Sequence, residues 1–542
     1  MNSPRNSTPD WNVKKFEQKL EKEVKHRKDF TSPVKLSPRE KPASGLFDQF
    51  FLIGIPPCQD IESQPEILVA FPPFELPGLP IDRIIAHALP TGPTRHYLKK
   101  FKSSPIQDEF VFQFGSGEDP YYGICVHIST ANTGKPFYGS KKTKKSTFCF
   151  CLLTRVPAFS SHFSFLTYIG LLTVGHIKRI HDFSGESISV KMPPGSPINE
   201  LDLDRQIGYH PQIKVPDAFT NELAFYYILT LDSPPETYSS DKNCELILRF
   251  PEHNDVFQKA IGWASLDTLF SLLPVIDILT ILTGLLLDRQ VLVVGSCLQE
   301  VSMAIYGLQT LLLPFKFAGT IIPVLPIEGD FLEILQLPTP WLIGVAPCPK
   351  LKKMTFIDTA IFIDLDKRSL PTVRDIPKFP MAVKTTSELT KLLSKQKHSE
   401  LGHPFGFPSI YSKNLDHKYT FTQQMFDKIT KIIQLPFNQV FTRDVYGFFV
   451  TDIQAAPEGV TIFNEELFLA QVSADKSFWE NVVESQTFQI YIEDKLLEYI
   501  DEKAANDNNG RRPSIGSAPH RMRRAHSRTK VVHFISDLSD ES

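Results

Sequence analysis

Apolar positions along this chain change rhythm twice, and each rhythm predicts a different kind of element. From residue 45 to 130 the apolar runs are short. Residues 50–55 and 67–71 each end in a Pro-Pro turn, and Phe110, Phe112 and Phe114 alternate with Val111 and Gln113. The turn Gly115-Ser116-Gly117-Glu118-Asp119-Pro120 and the run 121–127 complete a hairpin, so this region predicts a small sheet. A Gly/Lys/Ser/Thr stretch at 131–146 separates it from 148–155, an apolar run without alternation, which predicts a strand covered on both faces. Pro157, a helix over 160–172 and a Pro/Gly/Asp-rich insert at 193–216 follow.

The second rhythm fills residues 269–366. It reads as a long apolar helix, the turn Leu287-Asp288-Arg289-Gln290, a buried strand at 291–294 and a helix over 299–313. Short β-branched runs then occupy 320–326, 341–345 and 361–366. Helices alternating with such runs predict an α/β core with at least one crossover. Residues 268–287 form a 20-residue apolar stretch, long enough to span a bilayer, but Pro274 and Asp277 lie inside it and a strand follows at once. A buried core helix is the better reading. Residues 367–415 read as a polar connector. Beyond it the pattern is helical, with one face of Phe421, Met425, Phe426, Ile429, Ile432 and Ile433, and a second of Phe437, Val440, Phe441, Val445, Phe448 and Phe449. Phe488, Tyr491, Ile492, Leu496, Tyr499 and Ile500 form a third.

Composition adds limits. Hydrophobic residues make up 42% and charged residues 22%, as in an ordinary globular protein, while 42 Phe and 43 Pro suit many short strands with proline-bounded turns. Residues 1–44 carry 11 Lys/Arg against 6 Asp/Glu, and 503–542 carry 8 against 4; with 58 and 61 in the whole chain, the middle keeps 39 and 51. An acidic body argues against a nucleic-acid groove, which needs a clustered cationic stripe. Seven scattered cysteines contain no Cys-x-x-Cys; Cys149 and Cys151 share one face of a strand, and reduced core thiols in the cytosol are expected. The N-terminal residues lack the apolar region of a signal peptide.

Enzyme signatures fail on spacing. Around Gly134-Lys135, Ser129 stands where a phosphate loop needs glycine, and Pro136 follows the lysine. Gly115-Ser116-Gly117 lies in a hairpin turn, not between strand and helix, which rejects a dinucleotide fingerprint. Gly295-Ser296-Cys297 sits between strand and helix, where a hydrolase nucleophile would stand, but lacks the Gly-x-Ser-x-Gly elbow, so a helix N-cap at Ser296 is expected. No His-x-x-x-His pair supports a metal site, and no cofactor is implied.

The order of motifs is more telling than any one of them. The segments LLLDRQVLVV (285–294), LLLPFKF (311–317), IIPVLP (321–326), PTPWLIGV (338–345) and FIDLD (362–366) closely resemble the central part of the DENN domain. Upstream, Phe47-Asp48-Gln49-Phe50-Phe51-Leu52-Ile53-Gly54 and Tyr122-Gly123-Ile124-Cys125 resemble its first module, and Phe478-Trp479 with Glu484-Ser485-Gln486-Thr487-Phe488-Gln489 resembles the end of its third. The resemblance covers roughly residues 46–502. Ala318-Gly319 departs from the polar or aromatic pair of many relatives, and Asp288-Arg289-Gln290 from the usual Glu-Arg-Arg.

The resemblance implies an α/β protein: a longin-like small sheet module at 45–130, a larger α/β module with a crossover sheet at 147–366 and a helical module at 416–502. Tails at 1–44 and 503–542 are expected to be disordered. It further implies a guanine nucleotide exchange factor that activates Rab-type small GTPases in membrane traffic by stabilising the nucleotide-free form, without covalent catalysis. The same resemblance also fits a scaffold or effector that binds a small GTPase or coat protein without exchange. The implied GTPase contacts are Asp288 and Arg289 at the helix–strand turn, Phe315 and Lys316 before the next strand, and Glu328 and Asp330 after it. The implied localisation is cytoplasmic, with peripheral recruitment to vesicle or endosomal membranes.

Both ends carry basic segments. Val13, Phe16, Leu20 and Val24 recur at helical spacing among seven Lys/Arg between Lys14 and Lys28. Residues 503–530 hold eight Lys/Arg against Asp507 alone, and arginines precede Ser514 and Ser527, as basophilic kinases require. This suits a tether to anionic membrane that phosphorylation at Ser514 and Ser527 weakens.

Overall fold

The computed structural model describes residues 37–38, 46–55, 64–75, 78–92, 106–115, 120–129 and 147–173. Short pieces between 208 and 247 follow, then most of 257–394, and finally 423–441, 445–452, 460–472 and 475–508. The N-terminal basic segment and residues 509–530 of the C-terminal one, including Ser514 and Ser527, lie outside them, as does most of the 193–216 insert. Residues 503–508 instead end a helix that starts at Gln486, which corrects the expectation of a disordered tail from 503.

The first sheet is antiparallel throughout. Its strands are β1 (Gln49–Gly54), β2 (Glu66–Phe71), β3 (Ile106–Phe114), β4 (Tyr121–Ser129) and β5 (Thr147–Thr154), in the order β3-β4-β5-β1-β2, with the short strand Gly208–Tyr209 beside β2. Helix α1 (Ile81–Ala88) covers one face and α2 (Phe159–Thr173) the other. β5 is buried along its whole length, as its unbroken apolar run requires, because strands flank it and helices cover it. This corrects the division at residue 146. The strand expected to open the second unit is central to the first sheet, pairing with both β1 and β4.

The second sheet is parallel. After α3 (Phe257–Leu272) and α4 (Val275–Leu286) come β6 (Val291–Val294), α5 (Leu298–Leu311), β7 (Thr320–Leu325), β8 (Trp341–Val345) and β9 (Ile361–Asp364). The order is β7-β8-β6-β9, so α5 carries the chain over β8 and a later connection crosses β6. One face packs on α3–α5; the other is closed by two 3-10 turns, Phe331–Gln336 and Leu351–Lys353, over Leu292, Ile343 and Trp341.

The apolar stretch at 268–287 is not one helix. Pro274 lacks an amide hydrogen and sits at the N-cap of α4, and the two helices bend by 113° there. No single helix among the described residues is long and apolar enough to cross a membrane. The bent pair contributes Leu269, Leu272, Ile278, Leu282 and Leu285 to the protein core instead.

The downstream region is less uniformly helical than expected. The connector holds α6 (Ala382–Ser394), whose Leu389 and Leu393 enter the core. Helix α7 (Gln423–Phe441) ends before Val445, so the second apolar face divides between a helix, a 3-10 turn at Val445–Phe448 and β10 (Phe449–Asp452), paired with β11 (Val460–Phe463). Helices α8 (Glu465–Gln471), α9 (Lys476–Val482) and α10 (Gln486–Asn508) complete it. Aromatic rings knit this region to the parallel sheet: Phe315 lies 5.0 Å from Phe437 and 4.8 Å from Tyr491.

Candidate functional site

Two sheets that fold separately in sequence meet along one seam. Helix α1 buries Ile84, His87 and Ala88 and leaves Asp82 exposed. Two histidines tie it down. The Nδ1 of His87 lies 2.9 Å from the Arg83 carbonyl and the Nε2 of His127, on β4, lies 2.6 Å from that of Ala88; carbonyls only accept, so each ring nitrogen carries its hydrogen. Burial pushes the His87 imidazole down to about 4, so it is neutral, and the rings of Phe112, Phe114 and Phe331 stand 4.9–5.6 Å from it. Phe331 opens the 3-10 turn that closes one face of the second sheet. The loop preceding it, 326–330, closes on the chain just after α1: the Ile327 amide donates to the Pro90 carbonyl at 2.8 Å. Gly92 suits this turn because its φ is +75°, and the Glu328 carboxylate lies against it.

Glu328 and Asp330 are exposed on this seam, and the Lys350 ammonium donates to the Gly329 carbonyl at 3.3 Å. Ile84, Ala88 and Leu89 share one apolar cluster with Leu298, Val324 and Ala346, so the surface built from α1 and the 326–331 loop stands on a common core. Of the six residues offered as partner contacts, these two lie together on a surface contributed by both sheets.

Three of the other four, Asp288, Phe315 and Lys316, face the helical region. Asp288 has φ +54° and ends α4: its amide donates to Leu285 and the Arg289 amide to Gly284 at 2.9 Å, a left-handed C-terminal turn. The Asp288 carboxylate accepts from the Gln486 amide, from the Thr487 amide at 3.2 Å and from the Thr487 hydroxyl at 2.6 Å. One residue therefore closes α4 with its backbone and caps α10 with its side chain. Burial raises its carboxyl above the ordinary range, against those hydrogen bonds. Phe315 is 2% exposed and belongs to the aromatic core, which corrects its reading as a contact. Arg289 is half-buried, and Lys316 is exposed and paired with Asp494 at 2.9 Å.

The C-terminal edge of a parallel sheet is where α/β proteins commonly bind anions, through the free amides of a helix N-terminus. In this chain those amides meet carboxylates of the protein itself. Asp108, on β3, accepts from Leu298 N at 3.2 Å and Gln299 N at 3.3 Å, while Val111 N donates to the Ser302 hydroxyl. The N-cap of α5 is Cys297, not Ser296, since the capping oxygen comes from Asp108 in the first sheet. Ser296 donates its amide at 3.0 Å and its hydroxyl at 2.7 Å to Asp366, a loop contact rather than a nucleophile–imidazole pair. Cys125, Cys149, Cys151 and Cys297 are buried thiols outside any disulfide, and burial pushes the Cys125 thiol up. Among the described residues no group of His, Cys, Asp and Glu could hold a metal ion.

The sequence reading missed α1, His87, Ile327 and the Asp108 cap. Asp82 and His87 at opposite ends of a short apolar run were the available signal for α1.

Residues 229–368, from just before α3 to just past β9, match the DENN (AEX-3) domain family. DENN domain-containing protein 2B of Homo sapiens is 26% identical over 237 residues, 43% of this chain and 19% of its own length. DENN domain-containing protein 2D of Mus musculus is 24% identical over 245 residues, 42% of this chain and 46% of its own. The DENN domain and WD repeat-containing protein SCD1 of Arabidopsis thaliana is 25% identical over 154 residues. The matches cover less than half the length of these curated relatives. The parallel sheet, its flanking helices and the seam loop all lie inside the residues that match the DENN-domain family.

Proposed function

We propose that this chain is a guanine nucleotide exchange factor for a Rab-type small GTPase, which docks across the seam between α1 and the 326–331 loop. The observation that carries the reading is that the family-matched block supplies one wall of a surface whose other wall is α1. Exchange requires no acid, base or nucleophile; it requires a rigid surface that binds the nucleotide-free GTPase more tightly than the loaded one. Glu328 and Asp330, held on a loop fixed by the Ile327 and Lys350 contacts, present two carboxylates that compete with nucleotide phosphates for cationic groups of the GTPase.

The first sheet is read as the longin-like module, supported by its strand order, second-first-fifth-fourth-third, with one helix between the second and third strands. Residues 423–508 are read as the downstream module. The site of action is the cytoplasmic face of vesicle or endosomal membranes, reached through the basic tails. Two departures from the pattern of many relatives have a packing role: Asp288 caps α10, and a Cβ on Gly319 would lie 2.4 Å from the Pro340 carbonyl oxygen.

Release of labelled GDP from a panel of Rab GTPases tests the proposal. Acceleration by the chain is expected with at least one, with loss of about tenfold or more, equivalent to about 1.4 kcal/mol, in Glu328→Lys plus Asp330→Lys. No acceleration with any Rab, from folded protein, overturns it. Preference for GTP-loaded over nucleotide-free Rab in pull-down would establish an effector instead.

A further inference from the structure

Helix α10 has one flank that the fold does not use. Phe488, Tyr491 and Ile492 enter the core, with Leu496 and Tyr499 packed against it. Ile490, Glu493, Leu497 and Ile500 recur three to four residues apart or at twice that spacing, so they share the neighbouring flank. Leu497 is 50% and Ile500 40% exposed, two of the six large apolar side chains standing out among the described residues, and Ile490 is half-buried. Glu493 and Glu498 are exposed beside them, and Asp494 is partly exposed. The sequence expectation placed Ile500 on the core face; the helix turns it outward, because Leu496 and Tyr499 already fill that side. The flank is thus apolar at Ile490, Leu497 and Ile500 with the exposed Glu493 between them, while the acids beside it are already paired, Asp494 with Lys316 and Glu498 with Lys495.

We propose that this flank is the docking site for the chain's own N-terminal segment, residues 13–28. Three features fit. The segment has its own apolar stripe, Val13, Phe16, Leu20 and Val24, at the spacing of a helix face. Its charge is opposite: seven Lys/Arg against Glu17, Glu21 and Glu23. Its length also matches, since as helices residues 13–24 span about 16 Å and residues 490–500 about 15 Å. Laid antiparallel, Val13 and Phe16 meet Ile500 and Leu497 and Val24 meets Ile490, while Leu20 falls at Glu493, whose carboxylate Lys19 and Lys22 flank. The basic tail at 503–530 has charge but no apolar stripe, so it fits the carboxylates and not the apolar floor. While docked, the segment withdraws its basic face from any anionic surface.

Hydrogen exchange of the full chain tests this. Phe16→Glu plus Leu20→Glu lies outside α10, so faster exchange in peptides covering 490–500, by about tenfold, is expected only if the two touch. Leu497→Glu plus Ile500→Glu should expose 13–28 to the same degree. Lys19→Glu plus Lys22→Glu should weaken protection, and Glu493→Lys added to it should restore it. Unchanged exchange at 490–500 in the Phe16/Leu20 variant overturns the proposal, even if the α10 variant misfolds. Protection that grows with protein concentration overturns it in favour of a second copy. Loss of binding to anionic vesicles in that variant without change in α10 overturns it in favour of a membrane contact.

Discussion

Replacing Asp288 separates two jobs that one residue performs. Asp288→Ala removes the acceptor for the Gln486 amide and for both donors of Thr487, and it places alanine at φ +54°. Loss of an N-cap costs about 1–2 kcal/mol, and the left-handed conformation of a residue without a short polar side chain costs about 1 kcal/mol more. Desolvation of the buried carboxylate already offsets part of the hydrogen-bond gain, so the sum falls near 2 kcal/mol. Asp288→Gly accepts the backbone conformation and loses only the cap, about 1 kcal/mol; Asp288→Asn keeps the conformation and one acceptor oxygen and should cost less. Hydrogen exchange at residues 486–489, read beside the thermal midpoint of the full chain, should rank the variants Ala, Gly, Asn from most to least opened. Wild-type exchange at 486–489 in Asp288→Gly would refute the capping argument. A defect in GTPase binding with exchange at 486–489 unchanged would return Asp288 to the partner surface.

Three further outcomes follow from the packing. Asp108→Ala strips the acceptor from two amides of α5 and should cost about 2–3 kcal/mol, lowering the unfolding midpoints of both sheets together, with Trp341 fluorescence reporting the second. His87 and His162 both have imidazoles pushed by burial from 6.5 to about 4, so the folded protein favours their neutral forms. Their stability contribution is complete above about 6.5 and falls as pH drops from there toward 4, which urea midpoints across pH 7 to 4 would show, and His87→Leu should flatten one part of that fall. Gly344→Ala should approach the upper end of overpacking costs, about 3 kcal/mol, because the new Cβ would lie 2.2 Å from the Pro323 backbone oxygen; soluble yield and thermal midpoint would register it.

Periodicity exposed the elements more faithfully than their grouping. Val291–Val294 reads as a buried strand and is one, since four consecutive apolar β-formers leave little choice. Thr147–Thr154 reads equally well, but which sheet it joins depends on pairing with β1, a hundred residues away, and no local pattern carries that. Helix α6 was hidden because only Thr385, Leu389 and Leu393 are buried among exposed Lys, Thr and Ser. At the seam, Glu328 and Asp330 were legible as exposed acids after a strand. The capping role of Asp288 was not legible because a carboxylate in a turn looks the same in sequence whether it meets solvent or two amides 198 and 199 positions away.

The Asp108 cap also bears on the order in which the chain is made. Its carboxylate lies 190 residues ahead of the amides it receives, so synthesis delivers β3 well before α5 exists. At about 5–20 residues per second, that interval is on the order of ten to forty seconds, ample time for the antiparallel sheet to form around its hairpin. When α5 is finally translated, its first turn finds an acceptor already fixed in place, and the costly crossover over β8 starts from a tethered end. The first sheet thus serves as a template for the second, and a chain begun after β3 would have to assemble its parallel sheet with that helix start unmet.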